Sequence, residues 1–345
     1  MSRWRWVAIA PLVLLACGGK PPPQPRDATP HEAVAPPLET RPLQDYIPAA
    51  GLRWLVVAQL AEIARMPSVR DSLSRLFPDD RLDAYTAATG LDLRRAEEAL
   101  VAGFDYGTVY LAETSTANAR VEELFRNRLP AGAVEHQVHP DLVVLSGMIR
   151  ETPAALVSER GHLVGVAFGD PTLARIVEAY ALGRLESVTA MRGAALATLP
   201  ARVHDAPVRF YAPGPFQGEW SKGGGGLLGA ATAAAVCARP IRFDVVRIEA
   251  TLAGDWSSDG ERARSLGIQI YNDLAASPLG RLLALDDPVD PPIVTVSPNN
   301  VDLTVDLKLA PLVGGLHAAV SADLWELLDI GEAAPATPEK GSASH

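Results

Sequence analysis

The 345-residue sequence has little cysteine, little lysine and few aromatic residues. Its two cysteines, Cys17 and Cys237, exclude a scaffold held together by several disulfides. The net charge is −10, and no run of basic residues occurs. An acidic chain without a basic patch is poorly suited to bind a phosphate backbone, so we expect no nucleic-acid partner.

The sequence also lacks the short motifs of common hydrolases. It contains no Gly-x-Ser-x-Gly elbow, no His-Glu-x-x-His helix and no Ser-x-x-Lys pair. A triad assembled from distant residues leaves no spacing pattern, so a hydrolase with a dispersed site stays open as an alternative. We favour a protein that is not an enzyme.

No long hydrophobic run is present either. The first one, residues 6–16, is 11 residues long and as a helix would cover roughly 16 Å, about half the hydrocarbon core of a bilayer. Arg3 and Arg5 precede it, and the small residue Ala16 ends it. This pattern predicts a secretory signal peptide over residues 1–16 rather than a transmembrane helix.

The residues Leu14-Leu15-Ala16-Cys17 resemble the lipobox of bacterial lipoproteins. The resemblance implies cleavage before Cys17, a diacylglyceryl thioether on its sulfur and an acyl chain on the new amino terminus. Several acyl chains hold a protein stably on a membrane, whereas one does so only marginally. Gly18 follows the cysteine where inner-membrane lipoproteins of Gram-negative bacteria carry aspartate. The resemblance therefore implies an envelope protein on the periplasmic face of the outer membrane.

Composition divides the rest of the chain into a tether, a folded body and a tail. Residues 17–45 are rich in proline and poor in large apolar residues, which predicts an extended, disordered tether. Residues 331–345 are low in bulky apolar residues and predict a disordered tail. The body resembles no characterised family.

Strand and helix patterns occur twice in the body. We expect an α+β fold of two similar lobes, each an antiparallel sheet backed by helices, over residues 46–184 and 207–330 with a connector at 185–206. The clearest signals are a helix after Asp170-Pro171 that ends at Gly183, and a hairpin whose second strand alternates from Val301 to Leu309. We also expect helix over 92–100 and 227–236, one long strand over 241–252, and a last helix over 311–328.

One glycine-rich segment is a candidate ligand site. Gly224, Gly226 and Gly229 match the spacing of a dinucleotide fingerprint, and Trp220 and Leu227 lie close to these glycines in the sequence. No strand precedes the glycines, as that chemistry requires, so we predict no nucleotide cofactor. A packed helix is the simplest interpretation, and contact with an apolar ligand between the lobes is the alternative.

Two further patterns fall short of a metal site, and we predict no metal. His136 and His139 would project from opposite faces of a strand. The loop that starts at Asp255 opens like a calcium loop, but Leu266 stands where the bidentate glutamate belongs.

Three functions follow from these observations. The first is a lipid-anchored envelope protein that binds or scaffolds a protein partner without catalysis. The second is a periplasmic carrier of an apolar ligand, and the third is the dispersed hydrolase. The membrane, reached through the lipid on Cys17, is the partner common to all three.

We expect Cys17→Ala to abolish lipid attachment, because the thioether needs the cysteine sulfur. The variant should accumulate as unprocessed precursor or leave the membrane fraction, as followed by fractionation and by labelling with radioactive palmitate. A Cys17→Ala chain that is cleaved and still sediments with membranes would contradict the lipobox assignment.

Overall fold

In the part of the chain that the structure describes, twelve β-strands form one continuous antiparallel sheet. The structure, a computed structural model, describes residues 37–115, 118–130, 132–216 and 226–317. The strands are β1 (Leu52–Ala58), β2 (Ala96–Phe104), β3 (Thr108–Thr114), β4 (Val134–His139), β5 (Leu142–Ile149), β6 (Thr152–Glu159), β7 (Leu163–Phe168), β8 (Val208–Pro213), β9 (Ala233–Arg242), β10 (Val245–Ala253), β11 (Ile293–Val296) and β12 (Asn300–Lys308). Their order is β11-β12-β10-β9-β8-β1-β2-β3-β7-β6-β5-β4.

The sheet consists of two similar halves that meet at β1 and β8. On one side the order runs β1-β2-β3-β7, and on the other it runs β8-β9-β10-β12. The two central strands pair antiparallel, from Leu55 opposite Tyr211 to Ala58 opposite Val208. The α+β class and the two antiparallel halves are as predicted. The halves, however, share one sheet instead of forming two separate ones.

Helices cover both faces of the sheet. They are α1 (Leu60–Ala64), α2 (Pro67–Leu76), α3 (Asp79–Thr89), α4 (Ala119–Asn127), α5 (Thr172–Ala181), α6 (Leu227–Ala230), α7 (Gly260–Ala276) and α8 (Pro278–Leu282). Residues 309–317 are also helical, and the remainder of the predicted last helix lies outside the described residues. None of the described helices has the length and apolar character needed to cross a membrane.

The largest core lies between one face of the sheet and α5 with the segments around it. Leu43 and Tyr46, in a 3₁₀ turn before β1, are fully buried there. The folded body therefore starts earlier than residue 46, the boundary expected from composition, and the end of the predicted tether is core. Residues 185–206 also pack here through Ala190, Leu196 and Val203, so the predicted connector is part of the core.

The two clearest local signals are confirmed. The Oδ1 atom of Asp170 accepts a hydrogen bond from the backbone N–H of Thr172 (2.9 Å) at the start of α5, and Gly183 has φ +62° after its end. The hairpin β11–β12 forms, and Val301, Val305 and Leu307 are buried on one face.

Three predictions of secondary structure are wrong. Ala96–Phe104 is strand β2, preceded by a 3₁₀ turn at Leu93–Arg95, where we expected helix. The helix that starts at Leu227 ends at Ala230, because the alanine-rich residues after it pair as β9 with β8 and β10. The long strand expected over 241–252 is a hairpin, and the turn between β9 and β10 explains the shift in its apolar pattern. Strand β6 was not predicted.

A buried ion pair joins the two halves beneath the central strands. Arg209 on β8 donates from Nη2 to Oε1 of Glu98 on β2 (2.7 Å), and from Nη1 to the carbonyl oxygen of His204 (2.5 Å). The Arg209 side chain is 5% exposed and that of Glu98 is 15% exposed. Burial raises the pKa of the Glu98 carboxyl, and the Arg209 guanidinium opposes that shift.

We expect Arg209→Met to lower the free energy of unfolding by about 3 kcal/mol, because it leaves a buried carboxylate without its cation. Urea unfolding measures the loss. Arg53→Gln is the matched control, since it breaks an exposed pair with Asp105 and should cost less than ~1 kcal/mol. The double variant Glu98→Gln with Arg209→Met should recover part of the loss. Equal effects of Arg53→Gln and Arg209→Met would contradict this account.

Candidate functional site

An apolar cavity lies in the first half, between the second face of the sheet and the helices α3 and α4. Its floor comes from alternate residues of β7, which project to one face because side chains alternate along a strand. These are Val164, Val166 and Phe168. Tyr110 of β3 and Leu156 of β6 stand opposite Val166 on the neighbouring strands and extend the floor.

Helix α3 forms the roof and buries no residue completely. Its residues Leu82, Tyr85 and Thr89 recur at the spacing of one helical face, and this face lines the cavity. In a packed helix such a face would be covered by neighbouring side chains. Here it borders open space.

Helix α4 forms a wall beside α3: its residues Val121 and Phe125 line the cavity, as does Arg128, which follows its last residue. The two helices approach closely at Gly90, which ends α3 with φ +79°. A Cβ atom at Gly90 would lie 2.9 Å from the backbone nitrogen of Val121. The two helices are therefore in contact at the Gly90 end of α3. The cavity lies further along α3, where its inner face is not covered.

The cavity has a volume of about 330 Å³. That value is at the lower end of the range for sites that bind small molecules, roughly 300–1,000 Å³. Two arginines and no carboxylate occur among the described residues that line it. The lining residues are Phe77, Arg81, Leu82, Tyr85, Ala88, Thr89, Leu91, Leu93, Tyr110, Val121, Phe125, Arg128, Ile149, Leu156, Val164, Val166 and Phe168.

Both tyrosines of the cavity are protonated at neutral pH. Burial raises the pKa of the Tyr85 phenol, and a hydrogen bond with Thr89 and the Arg128 charge oppose the shift in part. Burial also raises the pKa of Tyr110, whose ring meets that of Phe168 edge-on at 6.1 Å between centroids. The apolar surroundings that cause these shifts are suited to a ligand with little polarity.

A second cavity, of about 400 Å³, lies where β1 starts and β8 ends. Small residues make up most of its walls, and its charged side chains, Arg53 and Asp105, form an exposed ion pair with each other. Neither cavity has a serine, cysteine or histidine among its described lining residues.

Of the four residues that the sequence analysis proposed as a ligand site, two are described by the structure, and neither lines the apolar cavity. Trp220 and Gly224 lie outside the described residues, as does Cys17. Gly226 has φ +86° and precedes α6, whereas Leu227 is 4% exposed and packs with Trp256 in the core of the second half. Neither Gly226 nor Leu227 lines either cavity.

The histidines and the second cysteine have structural partners. His136 Nε2 lies 3.3 Å from Oε1 of Glu178, and His139 Nδ1 accepts a hydrogen bond from the backbone N–H of Asp141 (3.1 Å). Cys237 is buried, and burial raises the pKa of its thiol. Within the described ranges, no three His, Cys, Asp or Glu side chains come together in a way that could hold a metal ion.

Sequence reasoning predicted the helix over Leu82 and Tyr85 but missed the cavity beneath it. The available signal was the apolar face of α3 itself, at Leu82, Tyr85 and Ala88. That pattern is the same whether the face meets side chains or a void. The distinction depends on how far α3 stands from the sheet.

Comparison with known proteins gives distant structural neighbours. No family model matches the sequence, and no curated protein matches it at a significant level. Crystal form III of TP0453 is 11% identical and covers 81% of this chain and 99% of its own, with a TM-score of 0.49. Crystal forms I and IV have TM-scores of 0.46 and 0.47, also at 11% identity. A likeness at this level carries no inference about function.

We expect Tyr85→Phe to make stability less sensitive to alkaline pH. In the folded chain Tyr85 keeps its proton above pH ~10, where an unfolded tyrosine loses it, so the folded state binds more protons and stability falls as pH rises. Phenylalanine removes this contribution. Urea unfolding at pH 9 and 11 measures the difference.

Tyr106→Phe is the matched control, because the Tyr106 side chain is 80% exposed. It should lose as much stability between pH 9 and 11 as the unmodified chain does. An equal loss in Tyr85→Phe would show that the Tyr85 phenol is not held in an apolar environment.

Proposed function

We propose that this protein is a lipid-anchored binding protein of the bacterial envelope that holds a small apolar ligand in the cavity beneath α3. The observation that carries the proposal is the unpacked apolar face of that helix. Leu82 and Tyr85 are only partly buried although they face the sheet. A ligand would supply the contacts that the chain itself leaves unmade.

Energetics favour such a ligand. Each methylene group transferred from water to an apolar site contributes about 0.8 kcal/mol. The floor and the α4 wall of the cavity offer aromatic and aliphatic side chains, among them Phe125, Leu156 and Phe168. A cavity of about 330 Å³ suits a single acyl chain or a small ring system rather than a whole phospholipid.

The anchor expected at Cys17 supports a location where apolar molecules are abundant. A lipid on Cys17 and a proline-rich tether would keep the body near a bilayer, which is a source of acyl chains. The lipobox and the outer-membrane location stay predictions from the first 20 residues.

Scaffolding of a protein partner, favoured from the sequence, is the second candidate. Phe210 of β8 and Val236 of β9 are direct cross-strand neighbours, and each is more than one third exposed. Together with Val208 they place apolar side chains at the centre of the sheet, where a partner could cover them.

The test of ligand binding uses the full chain and compares it with a variant in which a larger side chain obstructs the cavity. Ala88→Trp places an indole at the mouth of the cavity, so it should weaken binding of an environment-sensitive fluorescent fatty-acid probe by at least about tenfold. Native mass spectrometry of protein extracted directly from the cell envelope should show an added small mass on the unmodified chain and a smaller bound fraction on the variant.

Ala87→Trp is the matched control, because Ala87 is exposed on the same helix and does not line the cavity. It should bind the probe as the unmodified chain does. Absence of both probe binding and added mass would overturn the proposal. So would equal binding by the Ala87→Trp and Ala88→Trp variants.

A further inference from the structure

Arg128 is a cation placed at the wall of an apolar cavity. It follows the last residue of α4 and its side chain is half-buried. Its Nη2 atom donates a hydrogen bond to the carbonyl oxygen of Ala88 on α3, which is a neutral partner. Among the described residues, no carboxylate oxygen lies within 4 Å of the Arg128 guanidinium.

Four acidic side chains on or near α3 and α4 are paired with other arginines. Asp79 and Asp83 of α3 both meet Arg94, at 3.7 and 2.8 Å. Glu135 meets Arg126 at 3.0 Å. Glu123 of α4 meets Arg120 of the same helix at 2.9 Å. Within the described ranges, Arg128 therefore has no carboxylate partner.

Arg81 adds a second guanidinium to the lining, from the first turns of α3. A wholly neutral ligand would remove water from the Arg128 guanidinium and return no charge, which is unfavourable. A carboxylate would form charge-assisted hydrogen bonds with the planar guanidinium, in the two-pronged geometry that arginine favours. An apolar cavity with a cationic group at its wall matches an amphiphile that has an apolar chain and an anionic head group.

We propose that the ligand is a single-chain carboxylate, whose chain fills the cavity and whose head group pairs with Arg128. This inference rests on the proposed function, since it names the ligand class of the same cavity. A single carboxylate and a chain of moderate length fit the charge and the volume together. The carboxylate also fixes which end of the ligand points toward α4.

The experiment compares two probes with carbon chains of equal length on the full-length protein after bound ligand has been removed. Dodecanoate and dodecan-1-ol are titrated at pH 8 against a bound fluorescent fatty-acid analogue. A hydrogen bond to a charged group contributes about 1.5–3 kcal/mol. We therefore expect dodecanoate to bind at least about tenfold more tightly than the alcohol.

Arg128→Gln should remove most of this preference, because it should weaken binding of dodecanoate far more than binding of the alcohol. Arg128→Lys keeps the charge and should retain part of the preference, which separates loss of charge from loss of fold. Arg126→Gln is the matched control two residues earlier, where the arginine pairs with Glu135 and does not line the cavity. It should behave as the unmodified chain does.

The outcomes separate this inference from the proposed function. Equal binding of acid and alcohol, or an unchanged preference in Arg128→Gln, would overturn the carboxylate and leave an apolar binding protein. Tighter binding of dodecyl phosphate than of dodecanoate would also overturn it, in favour of a phosphate ester. Failure of all probes to bind the unmodified chain would overturn the cavity's function together with the inference.

Discussion

The pairing of β1 with β8 is the constraint on which the rest of the structure depends. It joins two halves of similar topology through backbone hydrogen bonds, so that each half has one open sheet edge fewer. The ion pair between Arg209 and Glu98 lies beside this seam and links the strands on either side of β1. Because the sheet is continuous, α5 and the segment 185–206 can pack across one face as a common core.

The other face is covered by separate groups of helices, and this arrangement produces the cavity. In the second half, α7 packs closely on β11 and β12 through Ala263 and Tyr271. In the first half, α3 is held against α4 at Gly90 and stands away from the strands below. The unfilled space is thus a property of one half, although both halves have the same central topology.

Sequence patterns were reliable where local chemistry decides the outcome. The cap at Asp170 and the stop at Gly183 define α5, and the alternation from Val301 to Leu307 defines β12. The patterns failed where β-strand pairing outweighs the helix propensity of the residues. Alanine favours helix, yet the alanine-rich residues from Ala233 form β9, because both neighbouring strands supply hydrogen-bond partners. Leu227, one residue of the predicted ligand site, is packed core, whereas the cavity is lined by residues far apart in sequence.

The sequence by itself determined the α+β class, the two-part pattern, the helix over Leu82 and Tyr85, and the expectation of a lipid on Cys17. Periodicity, capping residues and short motifs act over a few neighbouring residues and can be recognised without a structure. Only the tertiary structure decided that the halves share one sheet, that the segment from Leu43 belongs to the core, and that α3 covers a void beside Arg128. Those outcomes depend on distances between elements. Strand pairing and helix contacts set these distances, and no local sequence pattern encodes them.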